Sequence, residues 1–268
     1  VVEEDRVLRL MQVILDPTTS PERIAAFTDY NSTDQIDFLG WLTTLRQEIP
    51  SIYPAHVELV ANEETFLLQL QQADIAIVES NVIGRDELMI AKNLKLIGNF
   101  GVLTNNIDLQ ACAARSIPVL TVRRRTNIAM AEHTLMLILS LAKRLPLING
   151  LLTEDQLAKA GFSFKPYDSR HTAKANYGRI PDLRTLHGLK IGLLGLGEIG
   201  QEVAKLLKPF GMEVFYHKRQ RLLASEEELL GVHYCSFNEL FSQSEFLSVH
   251  IPFSDSTRGL VNHEALTR

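Results

Sequence analysis

The residues best suited to chemistry are Gly195-Leu196-Gly197-Glu198-Ile199-Gly200, a Gly-x-Gly-x-x-Gly run. Taken alone, such a run is a common tight turn. Its surroundings give it force. It follows the apolar stretch Leu189 to Leu194 and opens a helical pattern, Gln201 to Lys208, which Gly211 stops before a second apolar stretch, Glu213 to Tyr216. That order predicts a strand, a glycine turn, a helix and a parallel strand. Gly195 then serves the tight turn, Gly197 lets a pyrophosphate approach bare backbone, and Gly200 lets helix and strand pack closely. Free amides and the partial positive charge of the helix start hold the phosphates. The expected ligand is a nicotinamide dinucleotide. Glu198 suits the dipole of a first helical turn but would not itself attract a phosphate.

Cofactor choice is read at the end of the second strand, where an acidic side chain takes the ribose 2′-hydroxyl of NAD and a cation takes the 2′-phosphate of NADP. Here the strand ends in His217-Lys218-Arg219, without a carboxylate. Charge-assisted contacts to a dianion favour NADP(H), with NAD as the second choice. A solvated basic turn that merely ends a strand is the competing explanation.

The elements that must position these residues alternate along the chain. Brief apolar runs predict strands at Leu8 to Leu15, His56 to Val60, Ile75 to Val78, Lys95 to Gly98, Val119 to Val122 and Phe246 to Ile251. Helical patterns lie between most of them, as in parallel α/β sheets. Ser20-Pro21-Glu22-Arg23 reads as a capped helix start. Ile128 to Arg144 is apolar all round, so it is expected to be buried or interfacial. The polar stretch Asn149 to His187 is expected to wrap the surface.

Composition narrows the partners. The chain has 268 residues, 46% hydrophobic and 22% charged, with net charge −5, so no basic field invites nucleic acid. Its two cysteines, Cys112 and Cys235, form no Cys-x-x-Cys pattern, which argues against a disulfide framework or a zinc site; no metal is expected. No apolar run spans a bilayer and no leader pattern opens the chain, so a cytoplasmic protein without a membrane partner is expected. It begins with Val1 and ends at Arg268 within an amphipathic segment, which suggests a fragment.

Several separated segments resemble the D-isomer-specific 2-hydroxyacid dehydrogenases. They are Asn93 to Gly98, Asn106-Ile107-Asp108, Ser116 to Val119, Ala131-Glu132-His133, Gly192 to Gly200, Ser248 to Pro252 and Thr257 to Leu260. The resemblance implies an α/β fold of two doubly wound parallel-sheet domains, both incomplete at the C-terminal end. Residues 1–123 would be a flavodoxin-like substrate domain and residues 124–268 a Rossmann NAD(P)-binding domain, with the active site in the cleft between them. It also implies that His250, Ile251, Pro252 and Thr257 line the nucleotide pocket. The substrate carboxylate would meet the backbone of Gly101, Val102 and Leu103, with Ser80 as neighbour or ordinary turn residue. Leu103 stands where a second glycine is frequent. His133 beside Glu132 suggests acid–base work, but in the family pattern the pair opens the linking helix.

The family's catalytic arginine, glutamate and histidine belong to motifs expected beyond residue 268, and neither Arg258 nor Arg268 fits the arginine motif. No catalytic residue is therefore assigned within the chain, and NADPH oxidation with glyoxylate or hydroxypyruvate is expected to be absent. The implied parent is an NADP(H)-favouring oxidoreductase of a small D-2-hydroxy acid or 2-keto acid such as glyoxylate or hydroxypyruvate. It would be a homodimer through the cofactor domain. An NAD-dependent formate dehydrogenase and an NAD(H)-sensing corepressor-like interaction protein are the alternatives.

Overall fold

The computed structural model describes residues 1–151, 153–162 and 179–267, and the chain forms two compact units, Val1–Arg124 and Arg125–Arg268. Much of the stretch expected to wrap the surface lies outside the described residues. No described helix is long and apolar enough to cross a membrane.

The first unit is a parallel sheet of β1 (Val2–Glu3), β2 (Leu59–Val60), β3 (Ile75–Val78), β4 (Leu96–Asn99) and β5 (Val119–Thr121), in the order 2-1-3-4-5. Helices α1 (Arg9–Leu15), α2 (Pro21–Tyr30), α3 (Phe38–Glu48), α4 (Glu63–Leu70), α5 (Arg85–Ile90) and α6 (Leu109–Ala114) connect the strands. Alternation along β3 serves two faces. Ala76 and Val78 pack with Phe66, Leu70, Leu88 and Cys112, while Ile77 packs with Val13, Leu15, Phe38 and Leu42. This is the flavodoxin-like strand order, and it reverses direction between β1 and β3.

The expected strand Leu8 to Leu15 is instead helix α1. The Asp5 carboxylate accepts from the amides of Val7 (2.7 Å) and Leu8 (3.4 Å), which turns the chain just ahead of α1 and competes with strand pairing. The neighbouring strand is the short β1, too brief to show a period. From His56 to Val60, only Leu59 and Val60 pair with β1. Ser20 caps α2 through the Arg23 amide, with Pro21 at its first position, as expected.

The second unit has α7 (Arg125–Ala142), α8 (Leu145–Ile148), α9 (Glu154–Lys159), β6 (Lys190–Leu194), α10 (Glu198–Leu207), β7 (Glu213–His217), α11 (Ala224–Leu230), β8 (Val232–Tyr234), α12 (Phe237–Gln243), β9 (Phe246–Val249) and α13 (His263–Leu266). Its strands are all parallel, in the order 8-7-6-9, the pattern of the first four strands of a Rossmann sheet. Ala131, Ile138 and Ala142 of α7 pack with Val203, Ala204 and Leu207 of α10 against Ile191, Leu193, Val214 and Tyr216. Val203 and Leu207 are fully buried, each stabilising by about 2 kcal/mol. The opposite face buries Leu194, Cys235 and Leu240. The long apolar helix is thus part of this unit's core on one side, while Met130, Met136, Leu137 and Leu141 stay exposed.

Candidate functional site

Strand register brings the nucleotide-binding candidates together. Leu194, the last residue of β6, lies opposite His217 at the end of β7 and Val249 at the end of β9. The Gly195 amide donates to the His217 carbonyl at 2.9 Å, and the His250 amide donates to the Leu194 carbonyl at 2.7 Å. Three segments distant in sequence therefore leave the same carboxyl edge of the sheet. The strand order reverses between β6 and β9, and open α/β sheets bind ligands at such a point.

The glycines differ in what enforces them. Gly195 has φ +94°, and a β-carbon there would lie 2.6 Å from the His250 carbonyl oxygen. A β-carbon on Gly200 would lie 2.7 Å from the Gly195 carbonyl oxygen, so its close approach is to the turn rather than to the strand. A β-carbon on Gly197, the N-cap residue just before α10, would meet nothing within 4 Å. Fold packing demands the first and third. The second is open, the space a pyrophosphate would use beside the helix-start amides. The residues present thus fit a dinucleotide.

The other members of the turn contribute main chain. Leu196 is buried, and Ile199 packs on the α7/α10 core. The Glu198 carboxylate accepts from buried Asn127 of α7 at 2.5 Å, which ties the first turns of two helices together. No sequence pattern announced that contact.

At the end of β7 the three candidates diverge. His217 turns its ring toward Tyr234 and Phe237, and its Nδ1 donates to the Cys235 carbonyl at 3.0 Å. Because a carbonyl only accepts, Nδ1 carries the proton. Lys218 reaches back so that Nζ lies 3.5 Å from the Leu196 carbonyl oxygen, over the glycine turn. Arg219 is exposed. Lys218 is therefore the candidate cation that reaches the turn, and Arg219 follows it in the chain.

Past β9, His250 is half-buried, with Nε2 at 2.9 Å from the Ser248 hydroxyl. Burial pushes its pKa below the usual imidazole value. Ile251 packs against the second core face, and its Cγ2 would lie 2.9 Å from a Gly195 β-carbon. The Thr257 hydroxyl donates to the Pro252 carbonyl (2.8 Å) and accepts from the Ser254 amide (2.8 Å). Thr257 thus closes the turn that begins at Pro252.

In the first unit, Ser80 and the Gly101 loop also leave the carboxyl edge, after β3 and β4. Ser80 is committed to Glu3 of β1: its hydroxyl donates to Glu3 Oε1 at 2.5 Å and its amide to Oε2 at 2.9 Å. Asn99 Nδ2 donates to the carbonyls of Gly101 and Leu103, both at 3.0 Å, and so bends the loop that holds Gly101, Val102 and Leu103. Asn99 is buried, and its Oδ1 has no partner among the described residues. Arg124 stacks over Phe100 at 5.2 Å and pairs with Glu79, linking the Ser80 and Gly101 loops.

Comparison with known proteins finds relatives across both units. A family model described as "D-isomer specific 2-hydroxyacid dehydrogenase, NAD binding domain" matches residues 135–268. A hydroxypyruvate reductase of Thermotoga maritima is 31% identical over 236 residues, 88% of this chain and 68% of the relative. A glyoxylate reductase of Aeropyrum pernix is 31% identical over 204 residues, 76% of this chain and 57% of the relative. A D-3-phosphoglycerate dehydrogenase of Methanocaldococcus jannaschii is 29% identical over 206 residues, 76% of this chain and 36% of the relative.

Proposed function

The chain belongs to the D-isomer specific 2-hydroxyacid dehydrogenase family, and on that premise we propose that its protein reduces a small 2-keto acid such as glyoxylate or hydroxypyruvate with NADPH. One observation carries the cofactor choice. Lys218 and Arg219 follow the end of β7 beside the glycine turn, and from His217 to Leu223 there is no carboxylate to take a ribose 2′-hydroxyl. Gly195 to Gly200 would hold the pyrophosphate, with His250, Ile251 and Pro252 forming the adjoining wall. Bound nicotinamide would supply the hydride. The first unit would receive the substrate, with the Gly101 to Leu103 main chain facing its carboxylate and Ser80 shaping the adjacent loop.

Direct titration tests the cofactor assignment. NADPH should bind at least about tenfold tighter than NADH, and replacing both Lys218 and Arg219 with serine should erase the difference. Equal or tighter binding of NADH by the unaltered chain would sink the assignment. For the whole protein, NADPH oxidation with glyoxylate or hydroxypyruvate tests the reaction class.

The exposed apolar residues of α7 support a homodimer joined there. Met136→Glu should then halve the sedimenting mass; an unchanged mass would refute that interface.

A further inference from the structure

The segment from Lys218 to Leu223 joins β7 to α11. Its beginning is fixed by His217, whose ring is bound to the Cys235 carbonyl. Its far end is fixed by three side chains that the glycine motif does not involve. Tyr216 is fully buried, yet its hydroxyl donates to Glu227 Oε1 at 2.8 Å and accepts from the Leu222 amide at 2.9 Å. Glu227 in turn accepts a fork from Arg221, Nε to Oε1 at 2.9 Å and Nη2 to Oε2 at 2.8 Å. The Arg221 guanidinium lies 5.4 Å over the Tyr234 ring, which meets Tyr216 edge-on at 5.5 Å. Only Lys218, Arg219 and Gln220 lie between the two anchors.

We infer that Tyr216, Glu227 and Arg221 form a clamp that fixes the Lys218-Arg219 turn for an anionic group on the cofactor ribose. This rests on the NADP(H) reading above. The three are positioning residues, since none is placed to touch the nucleotide. Their value is in preorganisation: a turn already held at both ends loses less conformational freedom when two long cations close on a phosphate. The bidentate fork also cancels the Glu227 charge with Arg221, which leaves Lys218 and Arg219 as the net charge of the segment. The Arg221 fork, and then the Tyr216 hydrogen bond, hold the Glu227 carboxyl down to about 2, against the effect of burial. Burial, and then Glu227, push Tyr216 up to about 12. Near neutral pH Glu227 is therefore ionised and the Tyr216 hydroxyl keeps its proton, the states the clamp needs.

Two variants separate a clamp from simple charge. Glu227→Gln removes a negative charge near two cations, so charge alone predicts tighter NADPH binding; the clamp predicts weaker binding, because the amide nitrogen faces a guanidinium donor. Arg221→Lys keeps the charge and loses the fork. Dissociation constants for NADPH and NADH would be measured on both variants at fixed ionic strength, with thermal unfolding as the check on folding. The expected result is NADPH binding weakened about tenfold in both, with NADH binding within about twofold of the unaltered chain. NADPH binding that is unchanged or tighter in either folded variant overturns the clamp. So does equal weakening of both cofactors. Should Glu227→Gln not fold, Arg221→Lys decides alone, because the Arg221 side chain is 61% exposed and carries little of the core. A preference of the unaltered chain for NADH would instead refute the NADP(H) reading itself.

Discussion

Glu3 and Ser80, 77 residues apart, share a tight cluster at the point where the first sheet reverses its order. Glu3 Oε2 accepts the amides of Glu79 (2.7 Å), Ser80 (2.9 Å) and Asn81 (3.0 Å), while Oε1 accepts the Ser80 hydroxyl. An anion hole of backbone amides at this switch point is thus filled by the chain's own carboxylate. Burial alone would raise the Glu3 pKa, but the amides of Asn81, Glu79 and Ser80 together with the Ser80 hydroxyl hold it below the usual carboxylate value.

Glu3→Gln should therefore lower stability at pH 7 by about 1 kcal/mol, allowing for the partial exposure of the group. The sign follows from the depressed pKa. The Glu3 contribution is present above the ordinary glutamate range and fades as pH falls through the lowered folded value. Urea midpoints of the two proteins should differ at pH 7 and converge in acid; a gap that widens as pH falls would contradict this account.

Two alanine substitutions in the glycine turn should behave in opposite ways. Gly195→Ala forces a β-carbon onto the His250 carbonyl at a positive φ, at a cost of several kcal/mol, on the order of 2–4. Gly197→Ala meets open space at φ −83°, so melting should hold or rise slightly, while NADPH binding weakens about tenfold or more. Calorimetry and titration on the two variants would show it. Undiminished binding by Gly197→Ala would mean that no pyrophosphate approaches there.

Asn99→Asp tests the loop after β4. The present amide donates to two carbonyls, and a carboxylate would face both with lone pairs. The buried site should then lose about 2–4 kcal/mol of stability at neutral pH, with partial recovery in acid as the carboxyl gains a proton to donate. A midpoint independent of pH would show that the side chain had rotated away.

His250 should titrate at lower pH than an exposed histidine, because burial disfavours its charged form. Stability from the neutral ring is complete above the ordinary imidazole range and is lost as pH falls through the lowered folded value. Imidazole proton shifts followed by NMR would locate the midpoint; one above the ordinary value is the adverse result.

Much of the second unit is legible in the residues. From Leu189 to Tyr216 the apolar strands, glycine turn and stop at Gly211 all fall close to their expected places, because each has a local cause. Gly211 ends its turn in the left-handed region at φ +68°. The failures have causes as well. Leu8 to Leu15 carries enough aliphatic residues to imitate a buried strand, and the Asp5 carboxylate that turns the chain ahead of the helix is a single side chain. The commitment of Ser80 to Glu3, of Asn127 to Glu198 and of Tyr216 to Glu227 depends on the tertiary meeting of elements that have no shared period. Side-chain placement at His217 is equally hidden: its position at the strand end makes it a candidate for the cofactor turn, whereas its ring meets Tyr234 and Phe237.

The crowding at Gly195 comes first from the main-chain oxygen and carbon of residue 250, not from its imidazole. Mutability is therefore lopsided across that contact. Position 250 can exchange its side chain and still present the same carbonyl, so the chemistry of that wall can change while the contact with the turn stays. Position 195 has no such latitude, and a change there closes the turn whatever stands opposite.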